Sequence, residues 1–151
     1  MRAKIRLITQ QNKWYCGPAS VKMVLDSYGI LKTQREIGKV LSATKEDGCD
    51  IPNNLGAFET FGVKAKYKKN SSLKIVGELI KKGIYPILYW NRKNSGGHYS
   101  VFTGIDEKRV YIADPGNTKR IISFTRERFL ERWKDPENHK DKHEIIVITY
   151  P

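Results

Sequence analysis

The spacing of apolar residues changes from helical to extended about half-way along the chain, near Gly83. Before this point most apolar residues recur three or four positions apart, as on one face of a helix, whereas after it they form short β-rich runs separated by polar turns. Helices followed by strands predict an α+β fold rather than alternating βαβ units. The 151 residues contain no repeat, low-complexity segment or linker, so we expect one domain over residues 1–151.

The boundaries of these elements follow from helix caps, glycines and turn residues. Cys16–Tyr28 has helical spacing and is followed by Gly29, which favours termination. Thr33 and Glu36 have the spacing of a capping box and predict a second helix through Leu41. The other predicted helices run from an Asp50 cap to Gly62, over Leu73–Lys82 after Ser71 or Ser72, and over Arg126–Trp133. Ser42–Asp50 is predicted to be a polar loop. The predicted strands are Lys4–Ile8, Val63–Tyr67, Tyr85–Trp90, His98–Ile105, Arg109–Ala113, Thr118–Ser123 and Ile145–Tyr150.

The chain is strongly basic, with 28 Lys and Arg against 16 Asp and Glu and a net charge of +12. The lysines are dispersed, and the densest group, Lys64, Lys66, Lys68 and Lys69, follows an alternating strand pattern and its turn. No arginine-rich helix, zinc-ligand spacing or aromatic RNA-binding signature accompanies them. We therefore expect a solvated surface that sets solubility, with an acidic partner as the alternative, and we do not expect a nucleic-acid partner.

No segment has the pattern of a membrane span or a signal peptide. The longest apolar runs, such as Tyr85–Trp90, are strand-sized, whereas a helix that crosses a bilayer needs about 20 residues. The N-terminal segment lacks an apolar core of signal-peptide length and a small-residue cleavage site. We therefore expect a cytoplasmic protein in which Cys16 and Cys49 are free thiols.

Residues 10–20, QQNKWYCGPAS, place a cysteine where a loop enters a helix. The unpaired amides and the dipole of a helix N-terminus stabilise an anion, so the thiolate form of Cys16 is favoured there. Pro18 fits the first helical turn, where a missing N–H costs nothing. From position alone, a buried structural cysteine is an equally good interpretation. Cys49, in the polar loop, is expected to be dispensable.

A nucleophilic cysteine needs a base, and one of the three histidines is well placed to supply it. His98 follows a Gly-Gly pair and opens an apolar strand, whereas His139 and His143 lie in a charged stretch typical of a solvated loop. Asp114 ends the next strand. A hairpin about residues 106–108 would bring Asp114 next to His98, where it would orient the imidazole.

Four blocks of sequence together point to a family. They are Gln10 with Cys16-Gly17-Pro18-Ala19-Ser20, then Gly97-His98-Tyr99, Thr103-Gly104-Ile105-Asp106 and Val110-Tyr111-Ile112-Ala113-Asp114-Pro115. In this order they resemble the C39 peptidases, papain-like cysteine proteases often found as the N-terminal domain of bacteriocin-exporting ABC transporters. The resemblance covers residues 10–133. It implies a papain-like fold, with the nucleophile at a helix N-terminus packed on a mostly antiparallel sheet.

The resemblance also assigns roles to individual residues. Cys16 would be the nucleophile, His98 the base that also protonates the leaving amine, and Asp114 the residue that holds the imidazole. Gln10 would donate its side-chain amide to the oxyanion hole together with the backbone N–H of Cys16, and Gln11 is the competitor one residue out of register. No cofactor is implied, and the cysteines and histidines lack the spacing of a metal site.

The substrate implied by the resemblance is a peptide or small protein. Exporter-linked members cut after small residues, Gly-Gly above all, which implies a narrow cleft, an apolar groove for an amphipathic leader helix and association with an exporter. This chain departs from their pattern, because Asn12 and Tyr15 stand where those members have aspartates and Gly17-Pro18 follows the cysteine. In this respect it is closer to stand-alone C39-like proteins, whose substrates are less uniform.

Two further functions stay open at the level of sequence. The same Cys-His-Asp chemistry serves acyl transferases, deamidases and toxin-type effectors, because only the molecule that attacks the thioester differs. The other alternative is an inactive basic module that binds an acidic partner, although the intact set of Gln10, Cys16, His98 and Asp114 argues against lost activity. A cysteine peptidase is the function we expect.

Overall fold

The structure, a computed structural model, describes residues 4–92, 96–137, 140 and 142–151. The α-helices are α1 (Cys16–Ser27), α2 (Gln34–Val40), α3 (Leu73–Lys81) and α4 (Arg126–Arg132), and a 3₁₀ helix covers Pro52–Phe61. The strands are β1 (Lys64–Lys68), β2 (Ile87–Arg92), β3 (Gly96–Ile105), β4 (Arg109–Asp114), β5 (Asn117–Thr125) and β6 (Ile145–Thr149). Three of the four α-helices described precede β2–β5 and the sheet is antiparallel, so the predicted α+β class is confirmed.

The strands form a six-stranded sheet in the order β1-β6-β2-β3-β4-β5, in which every described pair is antiparallel. Strands β3 and β4 form the predicted hairpin, with Val101 opposite Ala113. The start of β3, which carries His98, and the end of β4, at Asp114, therefore lie side by side.

Helix α1 approaches the sheet closely because its first turn carries small side chains. Residues 17–20 are all buried. A Cβ added to Gly17 would lie only 2.9 Å from Cβ of Cys49 and 3.5 Å from a ring carbon of Tyr99 in β3. The first turn is thus held between β3 and the loop that carries Cys49, and Cys16 precedes this contact directly.

Apolar side chains are buried on both faces of the sheet, since neighbouring residues of a strand point to opposite sides. Ile87 packs into the core on the α1 side and Leu88 into the core on the α3 and α4 side. The second core is centred on Phe102, whose ring meets those of Phe129 and Trp133 edge-on at centroid distances of 5.4 and 5.3 Å. Burial on both faces fixes β2 and β3 in the middle of the fold.

Two of the predicted caps, those of α2 and α3, agree with the structure, whereas the 3₁₀ helix predicted to be capped by Asp50 has Ile51 at its N-cap position. Thr33 and Glu36 form a capping box at the start of α2, and the hydroxyl of Ser72 accepts the backbone N–H of Ile75 at the start of α3. Ser72, rather than Ser71, is therefore the cap of α3. These two helices begin where local hydrogen bonding alone predicts that they begin.

The prediction of a strand over Lys4–Ile8 is wrong, because residues 4–10 have no regular secondary structure. Ile5 and Leu7 are half-buried against the core on the α1 side, which accounts for the alternation. Alternating polarity indicates that one side of a segment is buried, and such burial does not require hydrogen-bonded pairing with another strand. The helix predicted after Asp50 is present but is a 3₁₀ helix with a kink at Asn54.

Candidate active site

Cys16 is the first residue of α1, and its thiol is half-buried. Tyr15, which precedes the helix, provides no side-chain cap, so the thiol lies beside first-turn amides that no cap satisfies. Burial acts to raise the pKa of the Cys16 thiol, but a hydrogen bond to His98 and the charge of that ring lower it. Backbone hydrogen bonds with Tyr99 and Gly17 lower it further, and the pKa is below the ordinary value of 9.0.

His98 is buried and bonds both Cys16 and Asp114. Its Nε2 lies 2.5 Å from Oδ1 of Asp114. Because each imidazole nitrogen has a single proton or lone pair for hydrogen bonding, Nδ1 is the atom left for Cys16. Burial acts to lower the pKa of His98, but the hydrogen bonds to Asp114 and Cys16 and their charges raise it to about 9.

Asp114 is 1% exposed and accepts hydrogen bonds on both oxygens. Oδ1 accepts from Nε2 of His98 and from the backbone N–H of Gly116 at 2.8 Å, and Oδ2 lies 3.1 Å from Nε of Arg92. Burial acts to raise the pKa of Asp114. The hydrogen bond to His98, the charge of His98, the backbone hydrogen bond from Gly116 and the charge of Arg92 lower it, and the pKa is below the ordinary value of 3.8. The residue is therefore a charged carboxylate that faces two cations.

Gln10 is fixed to the segment that follows Asp114. Its backbone N–H donates to the carbonyl of Pro115 at 3.0 Å, and its side-chain Nε2 donates to the carbonyl of Asn12 at 2.8 Å. Its Oε1 is buried and accepts no hydrogen bond from any residue that the structure describes. Gln11, the competitor, is exposed, and its backbone N–H donates instead to Oε1 of Gln34 at 2.9 Å.

Cys49 lies near the N-terminus of α1, which its place in a polar loop did not predict. Its Sγ would be 3.0 Å from a Cβ added to Gly17. Burial raises the pKa of the Cys49 thiol to about 12, with smaller contributions from the charges of Cys16 and Asp50. Cys49 is thus a protonated thiol at neutral pH.

The other two histidines lie away from this cluster or outside the described residues. His143 is half-buried rather than solvated: its Nδ1 bonds the carbonyl of Ser71 at 3.0 Å, and its ring stacks on Trp133 at 4.6 Å. The prediction of a solvated loop was therefore wrong for His143, whereas His139 lies outside the described residues. In the part of the chain that the structure describes, no group of His, Cys, Asp or Glu is arranged to hold a metal ion.

Sequence reasoning missed Arg92, and it named Gly97 only as part of a motif, without a structural reason for it. Arg92 ends β2 opposite Gly96 and contacts Asp114, and no local motif marks such a cross-strand ion pair. Gly97 is required because a Cβ there would lie 1.8 Å from Oη of Tyr89. The Gly-Gly pair before His98 was a visible signal for this close approach, whereas Arg92 had none.

Comparison with known proteins gives matches over nearly the whole chain. A family model described as the peptidase C39 family matches residues 4–136. A "lactococcin transport/processing ATP-binding protein LcnC-like" of Lactococcus lactis is 32% identical over 127 residues, which are 83% of this chain and 17% of that protein. The chain thus spans less than a fifth of the length of the transporter relatives that it matches.

Solved structures give the same result for the fold. A double glycine motif protease from an AMS/PCAT transporter, crystallised with its leader peptide, is 25% identical, with a TM-score of 0.73 over 99% of this chain and 94% of that one. The peptidase domain of Streptococcus ComA is 18% identical, with a TM-score of 0.75 over 97% and 99% of the two chains. No helix in the described residues is both long and apolar enough to cross a membrane.

Proposed function

Because the chain belongs to the peptidase C39 family, we propose that it cleaves peptide bonds through an acyl-enzyme formed on Cys16. The resemblance inferred from the sequence, the papain-like fold and the class of C39-like cysteine peptidase are confirmed by the family match and the structural neighbours. The roles of single residues and the identity of the substrate are proposals for this chain. The cytoplasmic location stays a prediction.

The observation that carries the proposal is the hydrogen-bonded chain from Cys16 through His98 to Asp114. A lowered thiol pKa beside a raised imidazole pKa favours a thiolate–imidazolium pair near neutral pH. Asp114 occupies Nε2 of His98, so that Nδ1 faces the sulfur. The arrangement therefore supplies a nucleophile and an acid on the same side of a substrate carbonyl.

The two chemical steps follow from this pair. In acylation the Cys16 sulfur forms a bond to the scissile carbonyl carbon, and the imidazolium of His98 gives its proton to the departing amine as the C–N bond breaks. In deacylation neutral His98 takes a proton from water, whose oxygen attacks the thioester, and the thiolate leaves. Asp114 stabilises the imidazolium whenever it forms, since its carboxylate stays charged.

Two donors are proposed for the oxyanion. The backbone N–H of Cys16 is in the first helical turn, where amides have no intrahelical partner. The amide of Gln10 has two N–H bonds, of which one is used on the carbonyl of Asn12. We assign the second N–H to the oxyanion, an arrangement supported by the anchoring of the Gln10 backbone to Pro115.

The proposed substrate is a leader peptide cut after small residues, Gly-Gly above all. This rests on the similarity to the double glycine motif protease, whose crystal structure contains a leader peptide. Of the aromatic residues next to Cys16 and His98 in sequence, Tyr15 packs against Gly38 of α2 and Tyr99 is buried in the core. The similarity to transport/processing proteins leads us to propose that the domain acts together with an exporter.

Cleavage of a fluorogenic Gly-Gly leader peptide by the Cys16→Ala and Cys49→Ala variants tests this assignment. Both substitutions remove one thiol near the helix N-terminus, so they are matched in chemistry and place. We expect Cys16→Ala to abolish turnover and Cys49→Ala to retain it within a few-fold. Retained turnover in Cys16→Ala, with a thermal melt like that of the parent, would refute the assignment of the nucleophile.

A further inference from the structure

A groove of about 850 Å³ lies beside Asp114, on the side of β4 and β5. Four arginines and two aromatic residues dominate its lining: Arg92, Arg109, Arg120, Arg132, Trp90 and Phe124. We call it the arginine groove. Among the described residues that line it, Asp114 is the one carboxylate. Its volume is in the range of about 300–1,000 Å³ that is usual for ligand pockets.

The positive charge of the arginine groove is largely unpaired. Arg92 is bonded to Asp114, but Arg109, Arg120 and Arg132 form no salt bridge with any described residue. Arg109 is held by neutral groups, with its Nε donating to Oγ of Ser123 at 3.0 Å. Three arginines that line the groove therefore have no ion-pair partner among the residues that the structure describes.

The aromatic residues hold one of these cations in place. The guanidinium carbon of Arg132 lies 5.1 Å from the ring centre of Trp90 and 5.3 Å from that of Phe124, and its Nε donates to the carbonyl of Asn91. Burial lowers the pKa of Arg132, and the positive charges of Arg128 and Arg92 lower it further. A bound anion would relieve this repulsion among fixed cations.

The arginine groove lies next to a second depression that contains Gln10. Arg92 lines both the groove and this depression, which also contains Asn12 and Gly116. Gln10 is the proposed oxyanion donor, so a peptide that passes the reactive carbonyl comes within a few residues of Arg92. An extended residue spans roughly 3.3–3.6 Å, so a segment that reaches into the groove is close in sequence to the scissile bond.

We propose that the arginine groove is a subsite for the peptide substrate and binds acidic side chains near the scissile bond through Arg109, Arg120 and Arg132. This inference rests on the proposed peptidase function and adds a chemical preference to it. Guanidinium groups bind carboxylates with paired, charge-assisted hydrogen bonds. Phosphates of a nucleic acid have related chemistry, but the position of the groove beside Asp114, next to the depression that contains Gln10, favours the peptide.

The test compares peptides with the same cleavage sequence that carry either two Glu or two Gln, moved stepwise through positions on both sides of the cut. In the parent protein we expect one placement at which the Glu peptide has a KM about 3- to 10-fold lower than the Gln peptide, and a preference that weakens with salt. Arg120→Gln and Arg109→Gln should each reduce the ratio of the two kcat/KM values. Arg35→Gln, an exposed arginine on α2 with the same charge change, should leave the ratio as in the parent.

A binding measurement separates this proposal from the proposed function. Fluorescence anisotropy with the Cys16→Ala variant reports binding of the labelled Glu and Gln peptides whether or not any peptide is cut. The subsite is supported, even if no cleavage occurs, when the Glu peptide binds more tightly than the Gln peptide and this difference is lost in Arg120→Gln but kept in Arg35→Gln. Equal binding of the two peptides overturns the proposal. It is also overturned if a single-stranded oligonucleotide binds tightly, this binding requires Arg120, and the Glu peptide does not bind.

Discussion

The two cysteines lie close together in the fold but differ in their surroundings. Cys16 faces the imidazole of His98 and backbone donors, whereas burial dominates around Cys49. A thiol reacts as its thiolate, and a pKa of about 12 leaves Cys49 almost fully protonated at neutral pH. Reactivity is therefore set by hydrogen-bond donors within a few ångströms, not by exposure, since both thiols are half-buried.

Cys16 should be alkylated by iodoacetamide at pH 7 much faster than Cys49. At short times each protein chain should therefore carry at most one label. Peptide mapping by mass spectrometry after brief treatment measures both rates. His98→Ala should slow labelling of Cys16, because it removes the cation that stabilises the thiolate. Equal labelling of the two thiols would contradict an activated nucleophile.

The pH dependence of peptide cleavage follows from the same pair of groups. The pKa of His98 is raised to about 9, so the imidazolium needed in acylation is present below that pH and is lost as pH rises through it. On the acid side, kcat/KM falls as the thiolate of Cys16 takes up a proton. Because the pKa of Cys16 is lowered from its ordinary value of 9.0, this fall occurs at a lower pH than it would for an ordinary thiol. We expect a bell-shaped profile with an alkaline limb near pH 9 that belongs to the coupled pair. A profile that only rises through pH 9 would instead indicate ordinary thiol deprotonation.

Replacement of Gln10 by Ala should lower kcat by about 10²–10³-fold, the usual effect of losing one oxyanion donor. Gln11→Ala is the matched control, since Gln11 is exposed and the hydrogen bond to Gln34 uses its backbone. Steady-state kinetics on one peptide, with a thermal melt for each variant, measures the difference. A larger loss of kcat in Gln11→Ala than in Gln10→Ala would identify Gln11, not Gln10, as the oxyanion donor.

At the scale of elements, the strand ends decide the geometry of the site. The sequence predicts the β3–β4 hairpin and hence the meeting of His98 and Asp114, because the turn and the two apolar runs are local signals. It does not predict Arg92 beside Asp114, since that contact depends on how β2 pairs with β3 and how β3 pairs with β4. The approach of Cys49 to α1 is equally a matter of tertiary packing, which no short-range pattern encodes.

Gly97→Ala tests the close approach of β2 and β3 next to His98. The new Cβ would lie 1.8 Å from Oη of Tyr89, so the tyrosine or the strand must move, and we expect a loss of about 1–3 kcal/mol in the free energy of unfolding. Gly104→Ala in the same strand is the control, because the nearest atom of Tyr111 is 3.5 Å away, an ordinary contact. Urea denaturation measures the loss in free energy of unfolding for both variants. A loss in Gly97→Ala no larger than that in Gly104→Ala would show that Tyr89 moves aside at no extra cost.

At the scale of the whole molecule, the charge of +12 is distributed in two different ways. Lys64, Lys66 and Lys68 are exposed on β1, an edge strand of the sheet, where charge discourages pairing with another chain. This agrees with the solvated surface expected from the sequence. The arginines of the arginine groove are separated along the chain and converge only in the fold, so composition could not reveal them.

The prediction of one domain over residues 1–151 has a thermodynamic consequence, because the two cores share one sheet. Phe58 belongs to the core on the α1 side and Phe129 to the core on the other, and both are fully buried. Phe58→Leu and Phe129→Leu should each destabilise the protein by about 1–2 kcal/mol and shift the same single urea transition. Tryptophan fluorescence, which includes Trp90 and Trp133 of the second core, and far-UV circular dichroism should give coincident curves. Two separate transitions, each shifted by one substitution only, would show that the cores unfold independently and that the chain is not a single cooperative domain.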